Sequence, residues 1–290
     1  MYRAAAGLAR VLPEQVGESI ARGIAQAAAA VLPGRRRLVE RNLRRATDGR
    51  LRGWALRRAV YEAFDSYGRY WFELFRLRDD VLRSDKLEER NRIDGFDRIE
   101  AAGKAGRGAI AALPHVGGWE YAGAWLAARG YPPTVVVEPV EPPELFEWFA
   151  DVRRALGMDV VPLGPAAGSA VLKALEANRV VCLVCDRDLV GDGIEVEFFG
   201  ERTTLPAGPA VLALRSGAPL FPAAVYFEPR GRHHGVIEAP IDTSRQGRLR
   251  DDVTRVTQAL ARRFEVLISA APEQWHLMQP NWPSDREKNP

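Results

Sequence analysis

The 290-residue chain is 47% hydrophobic and 27% charged, which is typical of a globular protein and excludes a disordered chain. No stretch reaches the run of about 18 apolar residues that a transmembrane helix needs, so none is predicted. The formal net charge of +3 is unevenly distributed, because residues 1–60 carry a net charge of +9 and the remainder carries −6.

The basic N-terminal segment contains 13 Arg against four acidic residues, including the run 35–37. A segment of this charge is attracted to an anionic membrane surface, by about 1 kcal/mol per basic residue near a charged leaflet. A solvated, Arg-rich helix face has the same pattern, and charge alone does not separate the two interpretations. No recognised nucleic-acid-binding motif accompanies the arginines, so nucleic acid is not a predicted partner.

Helical periodicity and proline punctuation predict several helices in the first third of the chain. Residues 1–32 are Ala-rich and, with Pro13 and Pro33 as punctuation, predict two short amphipathic helices. A basic helix begins at Arg35, and the aromatic residues within 61–75 predict a further helix. This aromatic stripe is explained either by core packing or by an apolar groove for an acyl chain or a membrane contact.

From about residue 92, short apolar runs alternate with helical patterns. Strands are predicted at 109–113, 134–137, 159–162, 180–185, 195–199, 220–227 and 235–238, and helices at 119–129, 143–156, 169–177, 209–216 and 251–268. This alternation predicts an α/β fold, a single domain with a central, mostly parallel sheet covered by helices. We expect residues 1–58 to form amphipathic, Arg-rich helices that associate with a membrane and make one structural unit with the α/β domain at 59–290.

The two cysteines, Cys182 and Cys185, have a spacing that is also found in zinc and redox sites. They lie on a predicted strand, where residues i and i+3 point to opposite faces. We therefore interpret them as small core residues and predict no metal site. Two cysteines are too few for a disulfide-stapled exported protein, so a cytoplasmic setting is expected.

His115 is the first candidate for chemistry. It follows a predicted strand and Pro114, and the pair Gly117-Gly118 allows a sharp turn into the next helix. Ligands of open α/β sheets bind at this carboxyl end of the strands. His115 is therefore a candidate catalytic base. The nearby Glu120 either orients it or simply places a negative charge in the first turn of its own helix.

Two further segments carry polar groups where apolar strands end. The run Asp186-Arg187-Asp188 follows the predicted strand 180–185, where charged groups need either a chemical role or a partner. An Asp–Arg ion pair within the run that fixes a loop is the structural alternative. Residues 198–209 predict a loop that leads into a helix start, which is suited to bind an anion or a developing oxyanion.

The covalent-nucleophile and nucleotide-binding motifs of common enzyme classes are missing from the sequence. It has no G-x-S-x-G elbow, no Walker loop, no dinucleotide-binding fingerprint and no cysteine placed as a nucleophile. An activated His without a protein nucleophile predicts direct transfer, in which His115 deprotonates a substrate hydroxyl that attacks an acyl donor. Backbone N–H groups near Gly117-Gly118 or at a helix start are expected to stabilise the oxyanion, without a metal or bound cofactor.

Four segments together resemble a known family: His-x-x-x-Trp-Glu at 115–120, Asp-Arg-Asp at 186–188, Phe-Phe-Gly with Pro-x-Gly-Pro at 198–209, and the closing run 275–282. They resemble the lipid A biosynthesis acyltransferases of the lysophospholipid acyltransferase-like superfamily, most closely the actinobacterial phosphatidylinositol mannoside acyltransferases. The resemblance implies palmitoyl transfer from acyl-CoA, a co-substrate, to a mannose hydroxyl of phosphatidylinositol mannoside. It also implies peripheral attachment to the cytoplasmic face of the inner membrane.

The resemblance also implies residue roles. His115 matches the family's base, and Asp186 stands where the mannoside enzymes have a Glu and the lipid A enzymes an Asp that partners this His. Glu120 replaces the more frequent Asp of the His motif. Acyl-CoA- or substrate-binding positions are implied for Glu138, Arg153, Arg187, Asp192 and Arg215. Arg153 is a candidate for the CoA phosphates, with an exposed helical Arg as the alternative, and Asp192 and Arg215 differ in type from the family's residues.

Two alternatives stand beside this interpretation. The first is a lauroyl or myristoyl acyltransferase acting on lipid A. The second is a non-catalytic membrane- or lipid-binding protein with a degenerate acyltransferase fold, against which the intact His115 and Asp-Arg-Asp segments argue.

Overall fold

A seven-stranded sheet organises the fold in this computed structural model, which describes residues 7, 9, 11–81 and 84–286. The strands are β1 (Asn91–Asp94), β2 (Ala109–Leu113), β3 (Thr134–Val137), β4 (Asp159–Pro162), β5 (Val180–Val184), β6 (Ile194–Phe198), β7 (Glu201–Leu205), β8 (Leu220–Glu228) and β9 (Arg232–Ile237). The sheet order is β1-β9-β8-β2-β5-β3-β4, while β6 and β7 form a separate antiparallel hairpin. In the sheet, β8 and β9 run antiparallel and the other pairs are parallel, so the predicted fold class is confirmed.

Helices cover both faces of this sheet. They are α1 (Glu14–Val31), α2 (Pro33–Ala46), α3 (Gly53–Val81), α4 (Ser84–Arg90), α5 (Phe96–Lys104), α6 (Trp119–Ala128), α7 (Pro143–Ala155), α8 (Ala167–Glu176), α9 (Gly208–Ser216), α10 (Leu249–Ala270) and α11 (Pro283–Arg286), with a 3₁₀ turn at Pro272–Gln274. The central strand β2 is buried on both faces. Its Ile110 and Ala112 pack with α8, α9 and α10, and its Ala111 and Leu113 pack with α3 to α7.

The cysteines follow the same division. Cys182 packs with the cluster of α3 to α7 and Cys185 with the cluster on the other face, as expected for strand residues three apart. Burial raises the pKa of the Cys182 thiol to about 12 and that of Cys185 well above its usual value. Both thiols therefore stay protonated near neutral pH and are poor nucleophiles.

Helices α1 and α2 share a third apolar cluster with α3, which contains Ala29, Leu43 and Val60. Of the two short helices predicted within residues 1–32, the first lies mostly outside the described residues and the second corresponds to α1. Among the described helices, none combines the length and hydropathy required to cross a membrane. Helix α2 also contacts β7 and α11, since Arg45 forms ion pairs with Glu201 of β7 and with the buried Asp285 of α11.

Two regions differ from the sequence-based expectation. The prediction of a loop at 198–209 was wrong, because this segment contains β7. The inward residues of β7, Thr203 and Leu205, are buried. Only two inward positions mark this strand, so its alternation is too short to recognise. Residues 84–104 were not assigned, although they form α4, β1 and α5. In the sheet β1 pairs only with β9, and its mixed burial leaves little hydrophobic pattern.

Candidate active site

His115 and Asp186 lie side by side at the carboxyl edge of the sheet. Strands β2 and β5 are parallel neighbours in which Leu113 pairs with Val184. Each candidate lies two residues beyond the end of its strand, so the common register brings them together across 71 residues of sequence. His115 Nδ1 is hydrogen-bonded to Asp186 Oδ1, and the backbone N–H of His115 donates to Asp186 Oδ2 at 3.1 Å.

The Asp186 carboxylate is fully buried and surrounded by donors. Its Oδ2 also accepts the Trp275 indole N–H at 2.8 Å, and its backbone carbonyl accepts Asn281 Nδ2 at 3.2 Å. Burial alone would raise the pKa of this carboxyl, but the charge of His115 and the hydrogen bonds from His115 and Trp275 outweigh it and lower the pKa. Asp186 is therefore a carboxylate held in place by several donors, and its bond to Nδ1 orients the imidazole of His115.

The imidazole of His115 faces a cavity of about 1030 Å³. With Nδ1 held by Asp186, its other nitrogen, Nε2, has no hydrogen-bond partner among the described residues. The ring packs edge-on against Trp119, with centroids 5.5 Å apart. This geometry leaves Nε2 available as a base for a bound hydroxyl group.

The Gly117-Gly118 turn behaves differently from the expectation. Gly117 has a left-handed φ of 59°, which favours glycine, and a side chain at Gly118 would collide with His233. Both amides are already occupied, because Gly117 N–H donates to the Gln274 carbonyl and Gly118 N–H donates to the Val225 carbonyl, each at 3.0 Å. Of the two predicted sources of N–H groups for an oxyanion, these two amides are therefore bonded to the 3₁₀ turn and to β8, which leaves a helix start.

Among the described residues, Glu120 forms no hydrogen bond or ion pair with His115 but a buried ion pair with Arg153 of α7. Arg153 Nη2 bonds Glu120 Oε1, and Arg153 Nε lies 3.2 Å from Oε2. Burial alone would lower the pKa of Arg153. The electrostatic interactions with Glu120 and Tyr70 raise it by more than burial lowers it, so the net shift of the pKa is upward. Removing either partner would leave a buried charge, at a cost of about 3–5 kcal/mol. Glu120 thus holds α6 to α7, and the guanidinium of Arg153 is neither exposed nor unpaired.

The Asp-Arg-Asp segment has three distinct sets of partners. Asp186 holds His115, whereas Arg187 pairs with Glu138 at 2.9 Å and donates to the Gln279 side chain at 2.6 Å. Asp188 accepts the N–H groups of Val190, Gly191 and Gly193 and the hydroxyl of Thr204. The structural alternative of an ion pair within the segment is wrong, because each charge bonds a different neighbour.

Asp192 and Arg215 are exposed residues that line the cavity. Neither has a charged partner among the residues that the structure describes. Arg215 belongs to α9, whose first turn also lines the cavity at Gly208 and Pro209. The 198–209 segment therefore does lead to a helix start at the cavity, although through a strand rather than a loop.

The cavity has two kinds of wall. Apolar side chains from α6 and the neighbouring strands and helices form one part, and they are Leu113, Trp125, Leu126, Val135, Phe149, Met158 and Ile237. Polar and charged side chains, among them Glu138, Arg187 and Gln279, line another part. The aromatic stripe of α3 is divided, since Phe64 and Phe72 are buried in the protein whereas Tyr70 and Trp71 line the cavity.

Three residues of the closing segment belong to the site but had no role assigned from the sequence. Trp275 and Asn281 bind Asp186, and the His276 N–H donates to the His115 carbonyl at 2.7 Å. Burial and the charge of His115 lower the pKa of His276 to about 3, so this second imidazole stays neutral. The density of Trp, His and Asn after the last long helix was the available signal, but their partners lie far away in sequence.

Known proteins match this chain over most of its length. The model of the family described as bacterial lipid A biosynthesis acyltransferase matches residues 1–284. A phosphatidylinositol mannoside acyltransferase of Mycobacterium tuberculosis is 45% identical over 226 residues, which are 77% of this chain and 70% of the relative. The protein of the same name from Mycolicibacterium smegmatis is 43% identical over 224 residues, 76% of this chain and 71% of the relative.

A more distant match comes from Haemophilus influenzae. Its lipid A biosynthesis acyltransferase is 25% identical over 209 residues, 70% of this chain and 62% of the relative. The family model spans the strands that carry His115 and Asp186 as well as the closing segment that holds them. On this evidence the chain belongs to the bacterial lipid A biosynthesis acyltransferase family.

Proposed function

We propose that this protein transfers a long-chain acyl group, palmitoyl, from acyl-CoA to a mannose hydroxyl of phosphatidylinositol mannoside. The observation that carries the proposal is the His115–Asp186 pair, which opens on a cavity with an extended apolar wall. The relatives of highest identity given above, which bear the name of this activity, support the same acceptor. Acyl-CoA is the co-substrate, and neither a metal nor a bound cofactor is required.

The proposed reaction is a single displacement. His115 Nε2 accepts the proton of the mannose hydroxyl while the hydroxyl oxygen attacks the thioester carbonyl. The new C–O ester bond forms, the C–S bond breaks, and the imidazolium returns its proton to the departing CoA thiolate. Asp186 stabilises the imidazolium through the Nδ1–H bond. With the amides of Gly117 and Gly118 occupied, the proposed sources of N–H groups for the oxyanion are the helix starts of α6 and α9 at the cavity.

The cavity walls suggest how the co-substrate is held. The apolar part of the wall suits the palmitoyl chain, because burial of hydrocarbon surface is favourable by about 25 cal/mol of free energy per Å² removed from water. Arg215 is exposed and has no carboxylate partner among the described residues, so it suits a CoA phosphate. Arg153 is not assigned to the phosphates, because Glu120 already neutralises it.

An acyl-transfer assay with the purified chain tests this proposal. We expect palmitoyl-CoA and mannosylated phosphatidylinositol to give a product with one additional acyl group, on mannose, and one equivalent of free CoA. A matched reaction contains lauroyl-CoA and a lipid A precursor. Transfer in that reaction alone would support the lipid A alternative. Lipid binding without acyl-CoA consumption in either reaction would leave the non-catalytic alternative.

Peripheral attachment to the cytoplasmic face of the inner membrane is part of the proposal, and α1 supports it. This helix turns its small residues inward, where Gly17, Ala25 and Ala29 are buried against its neighbours. Its larger apolar residues Val16, Ile20, Ile24 and Val31 follow helical spacing on the outward face and are 46–73% exposed. A helix with its large apolar residues facing outward needs an apolar partner, and a lipid surface accepts such a stripe.

The described arginines of this region include two groups. The first group forms ion pairs with carboxylates and therefore contributes little net charge, and it consists of Arg22, Arg41, Arg44, Arg45 and Arg58. The second group is exposed and has no carboxylate partner among the described residues, and it consists of Arg35, Arg37, Arg50, Arg52 and Arg57. The solvated-face and anionic-surface interpretations thus each describe part of the segment, and the second group is available to lipid phosphates.

We expect the double substitution Ile20→Gln with Ile24→Gln to weaken binding to anionic vesicles by about tenfold or more, because apolar surface no longer enters the lipid. Raising the salt concentration should weaken binding of the unchanged chain, since exposed charges are screened. Co-sedimentation with vesicles measures both effects. Val266→Gln is the control, because Val266 is equally exposed but lies on α10. Equal losses in the two variants would contradict the membrane role of α1.

A further inference from the structure

Arg35 is a cation of the cavity that the proposed chemistry does not use. It lies in the first turn of α2 and lines the cavity, where its Nη1 donates to the Met278 carbonyl at 2.8 Å. The other guanidinium groups of the cavity differ from it. Arg153 and Arg187 are neutralised by Glu120 and Glu138. Among the described residues, Arg35 and Arg215 are the cavity-lining arginines without a carboxylate partner.

Arg35 is connected to the base through the closing segment. Its partner Met278 and the neighbouring His276 and Gln279 all line the cavity. The N–H of His276 donates to the His115 carbonyl, so a single stretch of four residues contacts both the base and Arg35. A ligand held by Arg35 would therefore lie beside the segment that is bonded to the backbone of His115.

Arg35 also adjoins the outward apolar face of the N-terminal helices. Val31 is 73% exposed and Leu32 is 45% exposed, and both precede Arg35 by less than two helical turns. The residue is thus placed where the proposed lipid-facing surface meets the cavity. A lipid headgroup that enters from that surface would encounter this guanidinium before it reached His115.

We propose that Arg35 binds the phosphodiester of the acceptor lipid and so aligns its mannose with His115. This inference rests on the proposed function. In a phosphatidylinositol acceptor the phosphodiester joins the membrane-embedded glycerolipid to the sugars, so it lies between the lipid surface and the reacting hydroxyl. A guanidinium with one N–H on Met278 retains four further N–H donors for phosphate oxygens.

The test compares Arg35→Gln with Arg44→Gln in detergent micelles. Gln retains a donor for the Met278 carbonyl but removes the charge. Arg44 is on the same helix, is exposed, pairs with Glu40 and does not line the cavity, so its variant matches the loss of one positive charge. We expect Arg35→Gln to raise the KM for mannosylated phosphatidylinositol about tenfold or more. The KM for palmitoyl-CoA and the kcat at saturation should stay within about twofold, and Arg44→Gln should resemble the unchanged chain.

A second acceptor separates phosphate recognition from a structural role. With an alkyl mannoside that carries no phosphate, Arg35→Gln and the unchanged chain should have the same KM. An equal loss with both acceptors would show that Arg35 acts only through Met278 and would overturn the inference. A rise confined to the KM for palmitoyl-CoA would assign Arg35 to a CoA phosphate and overturn it as well.

The outcome also distinguishes this inference from the proposed function. If the unchanged chain acylates phosphatidylinositol mannoside and both variants do so with the same KM, the inference fails alone. If the unchanged chain acylates neither acceptor, the proposed function fails and the inference fails with it.

Discussion

His115→Ala is expected to lower acyl transfer from palmitoyl-CoA to mannosylated phosphatidylinositol by about 10²–10⁴-fold in kcat. In the structure, Nε2 of this ring has no hydrogen-bond partner in the part of the chain that the structure describes, and the ring is held at Nδ1 by a buried carboxylate beside the cavity. Alanine removes the proton acceptor for the attacking hydroxyl. The cavity walls that hold the acyl chain remain, so we expect the KM for palmitoyl-CoA to change little.

The control for this substitution is His234→Ala. His234 does not line the cavity and forms an exposed pair with Asp94 at 2.7 Å, so it repeats the His–carboxylate contact away from the site. This variant should retain the activity of the unchanged chain. Thermal unfolding of each variant checks that both are folded. A folded His115→Ala protein with near-normal turnover would exclude His115 as the base.

Asp186→Asn is expected to lower kcat by about 10²–10⁴-fold while leaving the fold in place. Asp186 Oδ2 accepts both the His115 N–H and the Trp275 indole N–H, so the one acceptor oxygen of Asn is required at that position. The amide NH₂ then faces His115 Nδ1 and donates to it. The imidazole proton moves to Nε2, and the nitrogen that faces the cavity can no longer act as a base.

The matched control is Asp94→Asn, which makes the same change in the exposed His234 pair and should leave turnover unaltered. The double variant His115→Ala with Asp186→Asn adds a further check. Because Asp186 is inferred to act through His115, the double variant should be no slower than His115→Ala alone. Additive losses would show that Asp186 has a role independent of the imidazole.

The pH dependence of stability gives this variant a second readout. The pKa of Asp186 is lowered in the folded protein. Its ionised form therefore stabilises the fold fully when the pH is above the ordinary pKa of 3.8, the value in the unfolded chain. That contribution is lost as the pH falls through the lower folded value. We therefore expect the free energy of unfolding to fall more steeply below about pH 4 for the unchanged chain than for Asp186→Asn. Parallel curves would contradict the environment described for this carboxylate.

The local sequence pattern was sufficient to predict the α/β class and the position of His115 at the end of a strand. The strand 109–113 and the helix after Trp119 are recognisable because apolar runs and glycine punctuation are properties of neighbouring residues. A polar residue that directly follows such a strand must lie at the carboxyl edge of the sheet. His115 and Asp186 were therefore placed at the correct edge before any strand order was known.

The partners of these residues were decided only in three dimensions. Glu120 is five residues from His115 but bonds Arg153, whereas Asp186 is 71 residues away and bonds the imidazole. The cause is the strand order, which makes β2 and β5 neighbours and is not encoded in any local pattern. The side chain of Glu120, in the first turn of α6, instead meets α7.

The sequence by itself therefore determined which residue types stand at the ends of the strands, because hydrophobic periodicity is a local property. Only the tertiary structure decided which charges are neutralised, which amides are occupied and which side chains reach the base. Arg153 changed from a candidate phosphate ligand to a buried ion pair, the Gly117 amide was found to be occupied, and Trp275 became a partner of Asp186. Each of these contacts joins distant segments, and its formation depends on the packing of the whole sheet and its helices.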